Sequence, residues 1–248
     1  MFDIKINQLT LLILTAAPVF FVGIAEDLGY SMSPKTRLLA SALSSIMALT
    51  IFNVWISSLG IFGVDSLLSV TPVGILFTVF GTVGVVNAFN LVDGLNGLSS
   101  YMTISTAIAL SFISFQVGNF QIAIFLILVS FAVLGFFVFN FPFGKIFLGD
   151  GGAYVLGHLL VWSALLLINE KSKISKFSIL LIFFWTVDDT GLAIWRRWKM
   201  GSPADRPASL DFHQLAVMVR ENRLFAVDRS KVVNPISPVN LVQLVTQQ

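Results

Sequence analysis

The stretch NAFNLVDGLNGLS, Asn87 to Ser99, closes a long apolar run yet carries three asparagines, an aspartate and two glycines. Asn87, Asn90 and Asp93 are three apart, so on a helix they share one face. A polar stripe where a membrane helix is ending is costly unless it meets water, a metal or a ligand. A plain helix cap accounts for such residues as readily as a binding site does. The acids elsewhere in the chain decide between the two.

The chain has 248 residues, of which 56% are hydrophobic and 11% charged, and its mean hydropathy is +0.88. Soluble domains carry about 25% charged residues, so the fold class is all-α, a polytopic integral membrane protein. A formal charge of +2 gives no case for nucleic acid as a partner. The absence of cysteine excludes disulfides, thiolate nucleophiles and cysteine metal sites. One lysine precedes the first apolar run and no small-residue cleavage site closely follows it, which reads as a retained span.

About seven apolar segments are long enough to cross a bilayer as helices: Leu9–Ala25, Leu38–Leu59, Val73–Ala88, Leu98–Phe115, Phe120–Phe139, Ala153–Ile168 and Phe177–Trp195. Their links are short and no repeat is evident. The expectation is a single membrane domain over 1–248, with helices over 9–195 and a cytoplasmic loop and tail over 196–248. Alternate loops of such a protein share a side. Loops one, three, five and seven hold Lys35, Arg37, Lys145, Arg196, Arg197, Lys199 and Arg206, which places them in the cytoplasm and the N-terminus outside. The same loops collect Glu26, Asp27, Asp93 and Asp150, while the opposite side has only Asp3, Asp65 and Glu170. Acids from separate elements converging on one membrane face make a candidate site.

Two further stretches sharpen it. In GIAEDLGYSMSPKTRLL, residues 23–39, Glu26-Asp27 ends one span and Ser33-Pro34 starts the next helix. In FPFGKIFLGDGGAYVLG, residues 141–157, glycines let backbone approach a ligand closely, and Asp150 stands where a helix begins and phosphate is favoured. Close helix packing explains the glycines but not the aspartate among them. Carboxylates and amides with glycine turns at a cytoplasmic face suit a Mg²⁺–pyrophosphate ligand, with Mn²⁺ as the substitute metal. Basic residues such as Lys35 and Arg206 would neutralise the remaining phosphate charge. His158 lies in the body of a span and reads as packed or water-bonded. Asp188-Asp189 stays balanced between helix anchoring and the site.

NAFNLVDGLNGL, FGKIFLGDGGAYVLG, the Glu26-Asp27 stretch with SPKTRLL, and the late DFHQL resemble the polyprenyl-phosphate sugar-1-phosphate transferases of glycosyltransferase family 4. That family includes the enterobacterial GlcNAc-1-phosphate transferase and the peptidoglycan translocase. The resemblance implies that its paired aspartates fall on Glu26 and Asp27, and its N-x-x-N-x-x-D-G-x-D-G on Asn87, Asn90, Asp93 and Asn96. Its metal-binding aspartate falls on Asp150, its uracil-stacking phenylalanine on Phe147, and its histidine loop near Asp211 to Gln214, with His213. The implied catalytic set is Asp27, Glu26 and Asp93, with Asp150 and Asp93 toward the metal. The substrate contacts are Asn87, Asn90, Asn96, Phe147, Lys35, Arg206 and His213. Such an enzyme transfers sugar 1-phosphate from a UDP-sugar, in particular a UDP-N-acetylhexosamine, to undecaprenyl phosphate and releases UMP. It works at the cytoplasmic face of the bacterial plasma membrane in cell-envelope polysaccharide synthesis, and a homodimer is compatible with it.

Three positions depart from that pattern: Glu26 and Asn96 stand where the family has aspartate, and Asp211 where it has a second histidine. The chain also begins about two spans late and stops before the family's final spans. Truncation at both ends is therefore expected, with a catalytically inactive relative as one alternative. A transporter is the other, because intramembrane acids also line ion pathways.

Overall fold

The computed structural model describes residues 3–93, 96–142, 144–169 and 181–199. Among these there is no strand. The helices are α1 (Asp3–Thr15), α2 (Ala17–Asp27), α3 (Pro34–Phe52), α4 (Val64–Leu68), α5 (Thr71–Val92), α6 (Leu98–Gln116), α7 (Phe120–Asn140), α8 (Gly149–Asn169) and α9 (Phe184–Lys199). The all-α expectation holds. Five helices, α3 and α5 to α8, are long and apolar enough to cross a membrane, and the bent pair α1–α2 makes a sixth. Part of the seventh expected span, 177–180, lies outside the described residues. The chain divides into two compact units, Met1–Asp188 and Asp189–Gln248. All that follows concerns the first, and of the second the described residues form the C-terminal part of α9.

The helix boundaries have local causes. The expected span Leu9–Ala25 is broken, with α1 and α2 meeting at 42°. Pro18 sits in the first turn of α2, where its missing N–H is harmless but from which α1 cannot continue unbent. Ser33 caps α3, its Oγ accepting from the Thr36 N–H at 3.2 Å, and Pro34 follows at the first turn, as the sequence suggests. The same helix stops at Phe52, short of the expected Leu59, because Asn53 adopts the left-handed conformation (φ 52°) that ends helices. After it Asp65 binds its own loop, accepting from the amides of Leu59 at 2.6 Å and Gly60 at 3.1 Å, so this acid is structural.

α8 is the central post: 83% of its span is buried, against 28% for α7 at the periphery. α2, α5, α6, α3 and α1 all pack on α8, and α6 and α7 form an antiparallel hairpin. Lipid tails are as apolar as leucine, so close backbone approach and interhelical hydrogen bonds do more to hold such a bundle than water exclusion. Serines on α3 supply the polar links. Ser44 Oγ accepts from the Val19 N–H at 3.3 Å, Thr82 Oγ1 donates to Ser45 Oγ at 2.9 Å, and Asn87 Nδ2 donates to Ser41 Oγ at 3.1 Å. His158 is fully buried, with Nε2 3.0 Å from Thr15 Oγ1. The Thr15 hydroxyl already donates to Leu12 O at 2.7 Å, so Nε2 carries the proton and the imidazole donates. A packed histidine is what the sequence reading favoured.

Candidate functional site

The C-terminus of α2, the N-terminus of α3, the C-terminus of α5, the N-terminus of α6, the C-terminus of α7 and the N-terminus of α8 all lie at one end of the bundle. The contacts below tie them together. α2 ends in Glu26-Asp27, two acids at the negative end of its dipole, where they are unfavourable by some tenths of a kcal/mol each. Each is compensated by a different neighbour. The Asp27 carboxylate reaches across to the positive end of α8, with Oδ1 accepting from the Asp150 N–H at 2.7 Å and Oδ2 from the Gly151 N–H at 3.0 Å. It is an N-cap supplied by another helix. Glu26 pairs instead with Arg37 on the first turns of α3, and the two side chains are 15% and 32% exposed.

Two glycines make the α2–α8 junction. A Cβ on Gly23 would lie 2.4 Å from Gly151 Cα and 2.5 Å from its N, so nothing larger than hydrogen fits there. Gly149 has φ +73°, a backbone open mainly to glycine, and a Cβ there would meet Asp27 Oδ2 at 2.6 Å. Asp150, which opens α8, is 6% exposed and accepts at Oδ1 from Asn90 Nδ2 at 2.6 Å. Asn90 is itself 8% exposed. A buried amide thus orients a buried carboxylate, an arrangement that outer-shell partners of metal-binding carboxylates also use.

The opening stretch is both a helix end and part of this site. α5 runs through Val92, Asp93 caps it, half-buried, and its N–H donates to Asn90 O at 3.3 Å. Asn90 turns to α8. Asn87, on the same polar stripe, turns instead to α3 through Ser41 and to Val83 O at 2.8 Å. Asn96 Nδ2 lies 3.5 Å from Pro142 O, against the backbone of Gly144. Lys35 and Phe147 are exposed, with Phe147 presenting 66% of its surface at the mouth of the loop before α8. Arg206 and His213 lie outside the described residues, as does the Asp189 side chain, while Asp188 is exposed. The structure therefore joins Asp27, Asp150 and Asn90 directly, with Glu26 at the next residue. Asn87 is placed on the neighbouring helix contact, and Asp93 and Asn96 flank the group along the chain.

Two residues carry more of this geometry than the sequence suggested. In the sequence Arg37 is only one of the loop charges, but a cation near the N-terminus of α3 is unfavourable unless an acid meets it, which is the available signal. Asn140 stands outside the motifs of the sequence. It ends α7, is 5% exposed, accepts from the Gly97 N–H at 2.5 Å and donates from Nδ2 to Ile146 O at 2.8 Å. One side chain thereby ties the start of α6 to the loop that delivers Phe147 and Asp150. An asparagine closing the most apolar run of the chain was the clue.

Among the described residues no three acids or histidines form a ready-made cage for a metal ion. Asp27, seated on the Asp150 amide, and the Asp150 carboxylate, held by Asn90, nevertheless offer hard oxygen donors with amide neighbours and no sulfur. That donor set fits a cation which completes its shell with water and ligand phosphate rather than one needing an all-protein site.

Comparison with known proteins finds several relatives. The chain is 28% identical over 219 residues to the undecaprenyl-phosphate alpha-N-acetylglucosaminyl 1-phosphate transferase of Escherichia coli O157:H7, covering 86% of this chain and 59% of the relative. With the protein of that description from Salmonella typhi it shares 28% over 221 residues, 87% and 60% of the two chains. With the phospho-N-acetylmuramoyl-pentapeptide-transferase of Streptococcus agalactiae it shares 32% over 155 residues, 60% and 45%. The chain spans about 60% of the length of the enterobacterial relatives it matches. The sequence profile of glycosyl transferase family 4 matches residues 9–168, a stretch that contains Asp27, Asn90 and Asp150 and covers well over half of the chain, so the chain belongs to that family.

Proposed function

We propose that this chain carries the catalytic end of an enzyme that transfers sugar 1-phosphate from a UDP-sugar to a polyprenyl phosphate and releases UMP, at the cytoplasmic face of a bacterial membrane. The observation that carries the reading is the Asn90–Asp150–Asp27 junction, because it brings together three separate motifs of the resemblance at one helix N-terminus. The relatives' descriptions supply the acceptor class. A transport path is disfavoured because Asp27, Asp93 and Asp150 stand at helix ends rather than in mid-span.

In this reading an oxygen of the lipid phosphate attacks the phosphorus bearing the sugar. A new P–O bond joins lipid and sugar phosphates, the pyrophosphate bond to uridine monophosphate breaks, and its electron pair leaves with UMP. The acceptor phosphate is already anionic near neutral pH, so no strong base is required. Asp27 would orient it or take its last proton. Acceptor, donor pyrophosphate, Asp27 and Asp150 are all negative, so the reading requires a cation. Asp150, oriented by Asn90, would hold Mg²⁺, with Asp93 three residues beyond Asn90 as a further ligand, and the bound ion would offset charge on the pyrophosphate and on the leaving UMP. Phe147, exposed beside the site, would stack on the uracil, and Lys35 would meet phosphate oxygens.

The purified chain in detergent, supplied with Mg²⁺, undecaprenyl phosphate and a UDP-N-acetylhexosamine, is expected to release UMP. Asp150→Asn should abolish the release while helical content stays unchanged, and chelation of the metal should do the same to the parent chain. Failure of a panel of UDP-sugars to yield UMP would leave the inactive-relative alternative standing.

A further inference from the structure

At the end of the bundle away from the acids, the link from α3 to α5 runs NVWISSLGIFGVDSLLSV, residues 53–70, with Asp65 as its one charged residue. A loop in water is ordinarily polar. Here the single charge is spent within the loop, because the Asp65 carboxylate accepts from the Leu59 and Gly60 amides. The link also starts at membrane depth. The Ile56 N–H donates to Thr78 Oγ1 at 2.8 Å, and Thr78 stands seven residues into α5. That is ~10 Å along a helix whose length, ~33 Å, matches the hydrocarbon core of a bilayer. Irregular backbone is tolerated at such depth only where protein satisfies it. Thr78 does so for Ile56, and Leu49 O accepts from the Asn53 N–H at 2.8 Å. One side of the link is sealed to the bundle. Val54, Ile56, Leu59 and Leu68 are buried in the core, and a Cβ on Gly74 would lie 2.9 Å from both Ile56 O and Leu68 O. The other side is a bare apolar tip. Gly60 and Gly63, at φ +80° and +82°, flank Ile61 and Phe62, and a Cβ on either glycine would meet nothing within 4 Å. Ile61 is exposed and Phe62 fully so.

We infer that residues 60–63 are a lipid anchor, which inserts Ile61 and Phe62 into the leaflet opposite the acids at the boundary of head groups and acyl chains. A two-residue tip is far smaller than the ~800 Å² per partner of a stable protein interface, which favours lipid over a second copy as its cover. No Lys or Arg lies between 53 and 70, so the contact is with the apolar part of the lipid and needs no anionic head group. The anchor holds the α3–α5 end of the bundle at a fixed depth, and it stands whether or not the chain is a transferase. The chain has no cysteine, so Ile61→Cys gives a single thiol beside an intact Phe62. With the full chain in lipid nanodiscs, a charged maleimide should label it about tenfold more slowly than Ser31→Cys in the exposed loop between α2 and α3, the partition expected from burying one phenylalanine ring. A bimane attached to the Ile61→Cys thiol in detergent before reconstitution should be quenched by lipids brominated high on the acyl chain. Adding Phe62→Asp should bring labelling to the Ser31→Cys rate and relieve the quenching at unchanged helical content, because Phe62 is fully exposed. Phe62→Leu, which stays apolar, should keep labelling slow. Labelling of Ile61→Cys at the Ser31→Cys rate overturns the inference. So does slow labelling without lipid quenching, which places a second copy or another protein over the tip. A labelling rate that follows phosphatidylglycerol content overturns it too, since the contact would then be electrostatic.

Discussion

Replacing Gly23 by alanine adds one methyl group at the place where α2 and α8 touch backbone to backbone. Its Cβ would lie 2.4 Å from Gly151 Cα, 2.5 Å from Gly151 N and 2.8 Å from the Asp150 carbonyl carbon. Carbon atoms at rest are about 3.5 Å apart or more, so the helices must part by about 1 Å. No flexible side chain is available to yield instead. Asp27, four residues along α2, moves with it, and its bonds of 2.7 and 3.0 Å to the α8 amides open beyond the ~3.2 Å limit for N–H···O. Overpacking of this kind costs about 1–3 kcal/mol. The two lost bonds add roughly 1 kcal/mol together, discounted because Asp27 is exposed and water replaces part of them. A displacement of about 1 Å at the reacting groups also lowers turnover by about 100-fold. Thermal unfolding in detergent, followed by helical circular dichroism, reads the first effect, and UMP release reads the second. Two controls sharpen the outcome. A Cβ on Gly151 meets its neighbours at 3.2–3.3 Å, so Gly151→Ala should cost much less, and Gly81, with nothing within 4 Å, should accept alanine with no loss. A Gly23→Ala protein that unfolds with the parent, or a Gly81→Ala protein that falls as far, would refute the reasoning.

Three other outcomes are expected. Gly149→Ala should lose about 1–2 kcal/mol to left-handed strain and push Asp27 off its 2.6 Å contact, so thermal midpoint and metal-dependent UDP-sugar binding should fall together. Asn140→Asp keeps an acceptor for Gly97 but loses the donor to Ile146 O. It should cost less than Asn140→Leu, which loses both at about 1–3 kcal/mol, a ranking that proteolysis of the 141–148 loop can test. Arg37→Met or Glu26→Gln alone should cost about 1–2 kcal/mol, between exposed and buried pairs. The double variant should cost less than their sum by about 0.5 kcal/mol or more, and strict additivity in that cycle would show the pair to be idle.

Much of this protein was legible beforehand because a bilayer imposes simple rules. Apolar runs of sufficient length become helices, and successive crossings reverse direction. The ends that carry Asp27, Asp93 and Asp150 therefore had to share a side. Ser33-Pro34 marked a helix start through its capping chemistry, and the structure has it there. The breaks were less legible. Leu9–Ala25 looks like one span by composition although Pro18 divides it, and the stop at Asn53 rests on a single left-handed residue.

The sequence alone settled that the chain is a membrane bundle with its acids gathered at helix ends, since composition and spacing suffice for both. Tertiary structure decided which group holds which. In NAFNLVDGLNGLS, Asn87 and Asn90 lie on one stripe, yet a step of three residues turns the side chain by about 60° around the helix. That angle separates the groove facing α3 from the groove facing α8. Asn87 consequently binds Ser41, and Asn90 binds the carboxylate of Asp150. Glu26 and Asp27, neighbours in the chain, likewise part toward Arg37 and the α8 amides. Periodicity identifies a face, but only the positions of the neighbouring helices divide that face between a packing contact and a site.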